Sequence, residues 1–437
     1  MSPEVVGIIG IIALFVLILL RVQVGIALLL VGFTGYMYLS GTNVALAQLG
    51  MSAFGTASKY SLSVMPMFIL MGMFLSYSGL AKDLFKAVDH WVGHVRGGIG
   101  MATIGASAIF SSISGSVNAT TATLAKVALP EMKDYKYHPG LSSSCVAAGG
   151  TLGVLIPPSV ILILYGVLTM EPVGALLIAG LVPGILLAFF FMLTVYIQVR
   201  RKPSLAPNQQ SPSSFQDRMK SISKIWPFGL IFLLSIGGIY FGFFTPTEAG
   251  GVGALGALLF SVLTRRLGWK GFFASLEETI RLTSMIFIIL IGATLFGQFL
   301  AMSRVPTAVT SMVVGLDVSP FVIVAIILII YFLLGLFLEG IAILVLTLPI
   351  VYPLIIQLGF DGIWFGIIMV MVFNMGVITP PLGISVYVIN GVAKDIPIQT
   401  IFKGVTPMLV TMILFTILLV IFPEIVMTLP NFMRGGG

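Results

Sequence analysis

Along 437 residues only one long stretch is polar, Arg200 to Lys224, which holds Pro203, Pro207, Pro212 and six Lys or Arg. Apolar runs dominate both sides of it, and this constrains the fold more than any motif does. A bilayer core needs about 20 apolar residues per spanning helix. Segments near 4–20, 24–40, 60–79, 141–170, 173–199, 225–243, 248–264, 279–302, 362–394 and 400–422 meet that need, which predicts about ten crossings. Only 8% of the residues are charged, against about 25% in an ordinary soluble domain, so a soluble globular fold is excluded. The expected class is an all-α integral membrane protein. Met1 to Leu20 reads as a retained first helix, because it has neither a basic start nor a cleavage signal.

The 22 Lys and Arg behind the net charge of +7 lie singly or in short clusters beside apolar runs. They read as topology signals, which argues against a nucleic-acid partner. Cys145 is alone, and His90, His94 and His138 all lie outside the long apolar stretches, so neither a cysteine-rich metal site nor a Cys/His pair inside the membrane is expected. Two further apolar segments, near 99–129 and 319–355, decide the topology. If each enters and leaves on one side, 18 basic residues face the cytoplasm: the six of the polar stretch with Arg21, Lys82, Lys86, Arg96, Lys133, Lys136, Arg265, Arg266, Lys270, Arg281, Lys394 and Lys403. Only Lys59, Arg304 and Arg434 then face outward, and Lys126, four residues before Pro130, can snorkel to the cytoplasmic surface. Letting either segment span once would destroy this positive-inside asymmetry. Two re-entrant helical hairpins are therefore expected.

The halves also repeat each other. Gly153-Val-Leu-Ile-Pro-Pro158 matches Gly376-Val-Ile-Thr-Pro-Pro381 at an offset of 223, Leu129-Pro130 matches Leu348-Pro349 at 219, and Gly72 matches Gly292 at 220. Five crossings and one hairpin per half make the second copy enter the membrane upside down. Such inverted repeats are associated with secondary transporters.

The candidate site residues lie at the hairpins and at the double prolines. Ser111-Ser-Ile-Ser-Gly-Ser-Val-Asn118 is the densest polar cluster of the first hairpin, and Gly115 with its Ser and Asn neighbours suits a tip. A tip near the midplane would present carbonyls and hydroxyls that a bare cation satisfies well. Pro157-Pro158 and Pro380-Pro381 remove amide donors and break their helices, leaving carbonyls near Gly153 to Ile156 and Gly376 to Thr379 for hard-oxygen ligation of sodium. The paired breaks suggest two sodium sites. Glu339, in the second tip Gly335-Leu-Phe-Leu-Glu-Gly340, is the one carboxylate well inside an apolar segment. With Pro349 taken as the membrane face, it lies roughly 15 Å deep at helical rise.

These landmarks resemble the large membrane subunit of the TRAP (tripartite ATP-independent periplasmic) transporters. The matching residues are Ser114-Gly-Ser116 with Leu129-Pro-Glu-Met132, Gly150-Thr-Leu-Gly-Val-Leu-Ile-Pro-Pro-Ser159, Thr245-Pro-Thr-Glu-Ala249 and Thr379-Pro-Pro-Leu-Gly383, and they cover essentially the whole chain. The resemblance implies an elevator-type, sodium-driven importer of an organic acid, of the sialic acid or C4-dicarboxylate class. It would sit in the bacterial or archaeal inner membrane and work with a small four-helix membrane subunit and a periplasmic binding protein. Residues 1–58 and 225–278 would be scaffold. Residues 59–199, with the first hairpin and broken helix, and 279–437, with the second pair, would form the transport domain, joined by the cytoplasmic loop 200–224. Sodium ligands are implied at Ser112, Ser114, Ser116, Asn118, Gly153, Pro157, Gly335, Glu339, Asn374, Gly376 and Thr379. Solute contacts are implied at Ser116, Asn118, Thr120, Pro158, Ser159, Thr379 and Pro381.

No basic residue is clearly placed to grip the solute carboxylate, which leaves hydroxyls, amides and a bound sodium to do so. A stand-alone sodium/dicarboxylate symporter would share the hairpins and repeats and is the alternative. No Gly-x-x-x-x-Gly-Lys-Ser/Thr loop occurs, so no nucleotide is expected. An intramembrane hydrolase would need a base or an aspartate pair in the membrane that the chain lacks, and a passive channel would need no paired breaks.

Overall fold

The computed structural model describes residues 1–207, 211–315 and 318–433. Arg434, expected on the outer side, lies outside them. The first half comprises α1 (Pro3–Leu19), α2 (Val24–Ser40), α3 (Thr42–Ala57), α4 (Val64–Tyr77), α5 (Leu80–Val92), α6 (Gly98–Ser114), α7 (Val117–Asp134), α8 (Pro139–Thr151), α9 (Val160–Thr169) and α10 (Val173–Arg201). The second half opens with α11 (Phe215–Phe232), continued through a π turn into α12 (Gly238–Tyr240). It goes on through α13 (Pro246–Leu263), α14 (Trp269–Ser303), α15 (Val305–Val314), α16 (Pro320–Gly335), α17 (Gly340–Gln357), α18 (Gly362–Gly376), α19 (Ile384–Val392), α20 (Ile398–Ile421) and α21 (Glu424–Met433).

Both special segments are helical hairpins. The Ile99 amide donates to the Tyr137 hydroxyl at 3.3 Å, which joins the two ends of the α6–α7 pair. The Phe321 and Phe360 rings, 5.3 Å apart, do the same for α16–α17. Several residues expected in the cytoplasm also meet one another: Arg266 pairs with Asp83, the Arg218 guanidinium lies over Trp91, and Lys133 pairs with Asp395. Cysteines introduced singly by Lys86→Cys and Lys133→Cys, on a Cys145→Ala background, should both react with an impermeant thiol reagent from the cytoplasmic side only. Labelling from opposite sides would refute the hairpin.

Among the described residues, seven helical runs are long and apolar enough to cross a membrane unaided. Six of them are expected crossings, and the seventh is the second arm of hairpin two, Gly340–Gln357. The remaining expected crossings are α1 and α2, each 17 residues, and the two broken helices, which reach across only as α8 with α9 and α18 with α19.

Four helices were not expected. α3, α5, α15 and α21 have 16, 13, 10 and 10 residues, too short for a hydropathy reading to register as spans. α5 buries Leu80, Leu84 and Phe85 and turns Lys82 and Lys86 outward, so it lies along the protein surface. The hairpins are longer than predicted, because Pro130 and Pro349 lie within α7 and α17 and do not close them. The polar stretch is also not one loop. Helix α11 starts at Phe215, where Ser214 caps it: the Ser214 hydroxyl accepts from the Asp217 amide at 3.1 Å and donates to the Asp217 carboxylate at 2.6 Å.

The repeat is visible in the packing. α2 lies along α14 and, in the inverted copy, α13 lies along α4. The expected boundary at 278/279 falls inside α14, a single 35-residue helix. The internal two-fold axis can be located directly. The Asn374 side-chain amide donates to the Thr151 carbonyl at 2.8 Å, and these residues are 223 apart, the same offset that relates the two proline pairs.

Candidate functional site

Each hairpin tip is pressed against the break of its own repeat. α6 ends at Gly115, whose φ of +56° favours glycine and whose missing side chain lets the Pro158 carbonyl approach; a Cβ there would lie 2.6 Å from that oxygen. Ser116 caps α7, accepting from the Ala119 amide at 3.4 Å, and its carbonyl faces Gly153. In the second repeat the main chain at Gly335 meets that of Phe373 and Gly376 so closely that a Cβ on Gly376 would overlap the Gly335 carbonyl. The double prolines explain why main chain is available here. The Leu155 and Ile156 amides both turn back onto the Leu152 carbonyl, and the second break is bridged by the Ser385 amide donating to the Val377 carbonyl at 3.1 Å.

Ser112, Ser114, Thr120 and Thr379 are engaged locally: Ser112 donates to the Ile109 carbonyl at 2.6 Å, Thr379 to the Met375 carbonyl at 2.6 Å, and the Ser114 and Thr120 hydroxyls are 2.7 Å apart. Thr120, Pro157, Pro158 and Ser159 are buried, and Ser159 caps α9 by accepting from the Leu162 amide at 3.4 Å. Asn118, Pro380 and Pro381 are exposed, as is Glu339. Of the expected solute contacts, then, Thr120, Pro158 and Ser159 are buried in this structure, whereas Ser116, Asn118, Thr379 and Pro381 are not. The first break is closed over by α10, where Gly180 lies against the Leu155 carbonyl; the second is open.

Glu339 precedes α17 and its side chain caps none of the tip amides. The depth expected from Pro349 does not hold, since α17 continues to Gln357 and Glu339 stands at the start of 18 helical residues, about 27 Å of rise.

The side chains with the clearest unmet hydrogen-bonding capacity are mostly not those expected as ligands. Ser107 Oγ, Ser111 Oγ, Thr121 Oγ1, Asn374 Oδ1 and Ser385 Oγ are buried without a hydrogen-bond partner, which few native polar groups are. Only Asn374 was among the expected ligands. The Ser107 and Thr121 hydroxyls lie over Gly149 and Gly150 of α8, just before the first break; Asn374 and Ser385 flank the second. The signal for Ser107 and Ser111 was their i, i+4 spacing on α6, which puts both on one face. Ser385 offered no such signal.

Two crevices flank this core and are related by the repeat. One, of about 440 Å³, lies between α7 and the end of α19 and is lined by Lys126, Leu129, Pro130, Lys133 and Ala393. The other, of about 390 Å³, lies between α17 and the end of α9 and is lined by Leu348, Pro349, Tyr352 and Met170. Each has a clasp at its mouth. Lys133 donates to Asp395 at 2.7 Å in the first, and the Tyr352 hydroxyl donates to the Glu171 carboxylate at 2.6 Å in the second. The Lys133 to Asp395 hydrogen bond holds the carboxyl below and the amine above their ordinary values. The crevices differ in one respect. α3 and α14 wall the second with Thr56, Leu290, Thr294 and Gln298, while no residue of α1–α4 or α11–α14 lines the first.

Inverted hairpins seated on broken helices, in an all-helical membrane protein, define the architecture of a secondary transporter. The profile of the family described as "Tripartite ATP-independent periplasmic transporter, DctM component" matches residues 11–425. The chain belongs to this family, so it is a transporter permease of the inner membrane and not an enzyme. It is 32% identical to the sialic acid TRAP transporter large permease protein SiaM of Vibrio cholerae, over 95% of this chain and 96% of that one. It is 34% identical to the C4-dicarboxylate TRAP transporter large permease protein DctM of Pseudomonas aeruginosa, over 88% and 90%. Among solved structures it is similar in fold to the Alcanivorax borkumensis YdaH transporter, with a TM-score of 0.62, 14% identity and coverage of 88% and 89%.

Proposed function

We propose that this chain is the sodium-coupled carrier subunit of a TRAP importer for a carboxylate-bearing solute of the sialic acid or C4-dicarboxylate class. The observation that carries this reading is the doubled arrangement of tip on break, with buried oxygens at both breaks that have no hydrogen-bond partner. Hydroxyl, amide and main-chain oxygens in a dry pocket form a donor set suited to a hard monovalent cation. Bound sodium would supply positive charge at the tips, where this chain offers the solute carboxylate no lysine or arginine. Thr121, Asn374 and Ser385 would hold the ions with main-chain oxygens of the breaks; Asn118, Pro381 and the open second break would meet the solute.

An elevator motion accounts for the unequal crevices. The hairpins and broken helices form the moving part, and the crevice walled by α3 and α14 is the one pressed against the scaffold in this state. α4 and α14 go with the scaffold, since they pack along α13 and α2, which moves the domain boundaries away from 58/59 and 278/279. A periplasmic binding protein and a small four-helix membrane subunit complete the importer.

The test is uptake into proteoliposomes containing the chain and its small subunit, with binding protein added outside and an imposed sodium gradient. Thr121→Val and Ser385→Ala should each raise the sodium concentration for half-maximal uptake on the order of tenfold, the effect of losing one ligand worth about 1.4 kcal/mol, with protein yield unchanged. Uptake that ignores sodium refutes the ion coupling, and uptake undiminished without binding protein returns the stand-alone symporter.

A further inference from the structure

The crevice between α17 and the end of α9 has α3 and α14 as its opposite wall, and its polar groups are unevenly shared between the two sides. Gln48, Ser52 and Thr56 recur every four residues and so lie along one face of α3. The Gln48 amide donates to the Ser52 hydroxyl at 3.2 Å and to Gln298 Oε1 of α14 at 2.6 Å, and the Ser52 hydroxyl donates to the same oxygen at 3.1 Å. Both acceptor positions of that carbonyl are thus filled from α3, which fixes the orientation of the amide. Its Nε2 end finds no acceptor among the described residues, and Gln298 lines the crevice. Lys59, in the link from α3 to α4, lines it too and makes no ion pair among the described residues.

The moving wall offers a ligand no donor. The Thr169 hydroxyl donates to the Tyr165 carbonyl at 2.7 Å and the Tyr352 hydroxyl to Glu171, and the other side chains of that wall are apolar. The repeat shows the same contrast. At an offset of 219, Lys126 and Lys133 of the first crevice become Val345 and Tyr352 of the second. Among the described residues no Asp or Glu lines the second crevice, and Glu171 at its mouth is held by Tyr352 and lies against Gly362. An ammonium and an amide N–H therefore face an otherwise largely apolar space of about 390 Å³, a size and composition usual for a small-molecule site. Donors without a competing carboxylate suit a carboxylate ligand.

We propose that this crevice is a static entry site, in which Lys59 and Gln298 hold the carboxylate of the solute on the scaffold before the moving domain takes it up. Lys59 and Arg304, at the end of α14, both belong to the side expected to face outward. The inference rests on the carrier reading above and adds a second solute position to it. The two positions differ in what they require. At the tips bound sodium supplies the positive charge, whereas here Lys59 supplies it, so binding needs no sodium. Because the free donors belong to the scaffold wall, the solute stays in place while the apolar wall slides past it.

Gly297 provides a reporter position, since it lines the crevice and a Cβ there has open space. Gly297→Cys, on a Cys145→Ala background and with the small subunit present, is modified from outside by an impermeant methanethiosulfonate in sodium-free buffer, and the rates with and without added acid are compared. Succinate or sialic acid should slow modification, whereas succinamide, with the same skeleton and no charge, should not. Lys59→Gln should raise the concentration for half-maximal protection roughly tenfold, as expected for losing a hydrogen bond to a charged group, and Lys59→Arg should retain protection. Gln298→Glu keeps an oxygen for Gln48 and Ser52 but turns the remaining donor into an acceptor, and should abolish protection. Absence of protection by both acids, equal protection by succinamide, protection that appears only with sodium, or protection undiminished in Lys59→Gln and Gln298→Glu overturns the proposal. Sodium-driven uptake is measured on the same preparation: uptake without protection removes the entry site alone, and protection without sodium-dependent uptake removes the ion coupling alone.

Discussion

Glu339→Gln should lower sodium-driven uptake by at least ~tenfold while the protein remains folded, because a charge retained inside a membrane-spanning segment is costly and generally functional. The side chain is exposed at the second tip and caps no amide there, so glutamine removes charge without removing a structural bond. A carboxylate that merely secured the tip would be replaced by glutamine with little loss. Uptake should be measured across pH beside a melting profile of the same preparation. Wild-type rates at every pH would take the ionised carboxylate out of the mechanism.

The second large effect is structural. Gly376→Val places a branched side chain where the Gly335 carbonyl already is, and overpacking of this kind costs about 1–3 kcal/mol, occasionally more. The side chain cannot find another rotamer away from the clash, because the overlap begins at Cβ. The tip must then lift from the break, so both thermal stability and uptake should fall. Gly251→Ala on α13, where a Cβ has open space, is the control and should melt like wild type. Equal behaviour of the two variants would show that the contact between tip and break is not held closely in the membrane.

The sequence was most readable where chemistry is local. Two prolines in a row break a helix wherever they occur, so a break was expected at each pair, and each pair lies inside an interruption, 152–159 and 377–383. Ser114-Gly115-Ser116 was placed correctly as a tip, because a glycine flanked by capping residues ends one helix and starts another. The hairpins were found by charge, since Lys86 and Lys133 had to share a side. What stayed hidden depended on neighbours distant in sequence. Nothing around Pro157 says that α10 covers it while Pro380 stays open, and nothing around Ser385 says that its hydroxyl is buried unpaired. Pro130 and Pro349 misled because proline usually closes a helix, yet both are tolerated inside their hairpin arms. The amphipathic α5 escaped notice because a search for spans overlooks a helix whose apolar residues occupy one face.

Tip meets break here through main chain, with glycines at the points of nearest approach, and this separates two kinds of inheritance. A site framed by carbonyl oxygens depends on side-chain identity there only at those glycines, so substitutions elsewhere nearby leave its geometry unaltered. Exposed positions such as Asn118 on the first tip and Pro381 at the second break carry no comparable packing duty. A lineage can therefore exchange residues at the mouth while the frame beneath passes on unchanged, and permeases sharing only about a third of their residues can keep one apparatus for driving transport and diverge in what they carry.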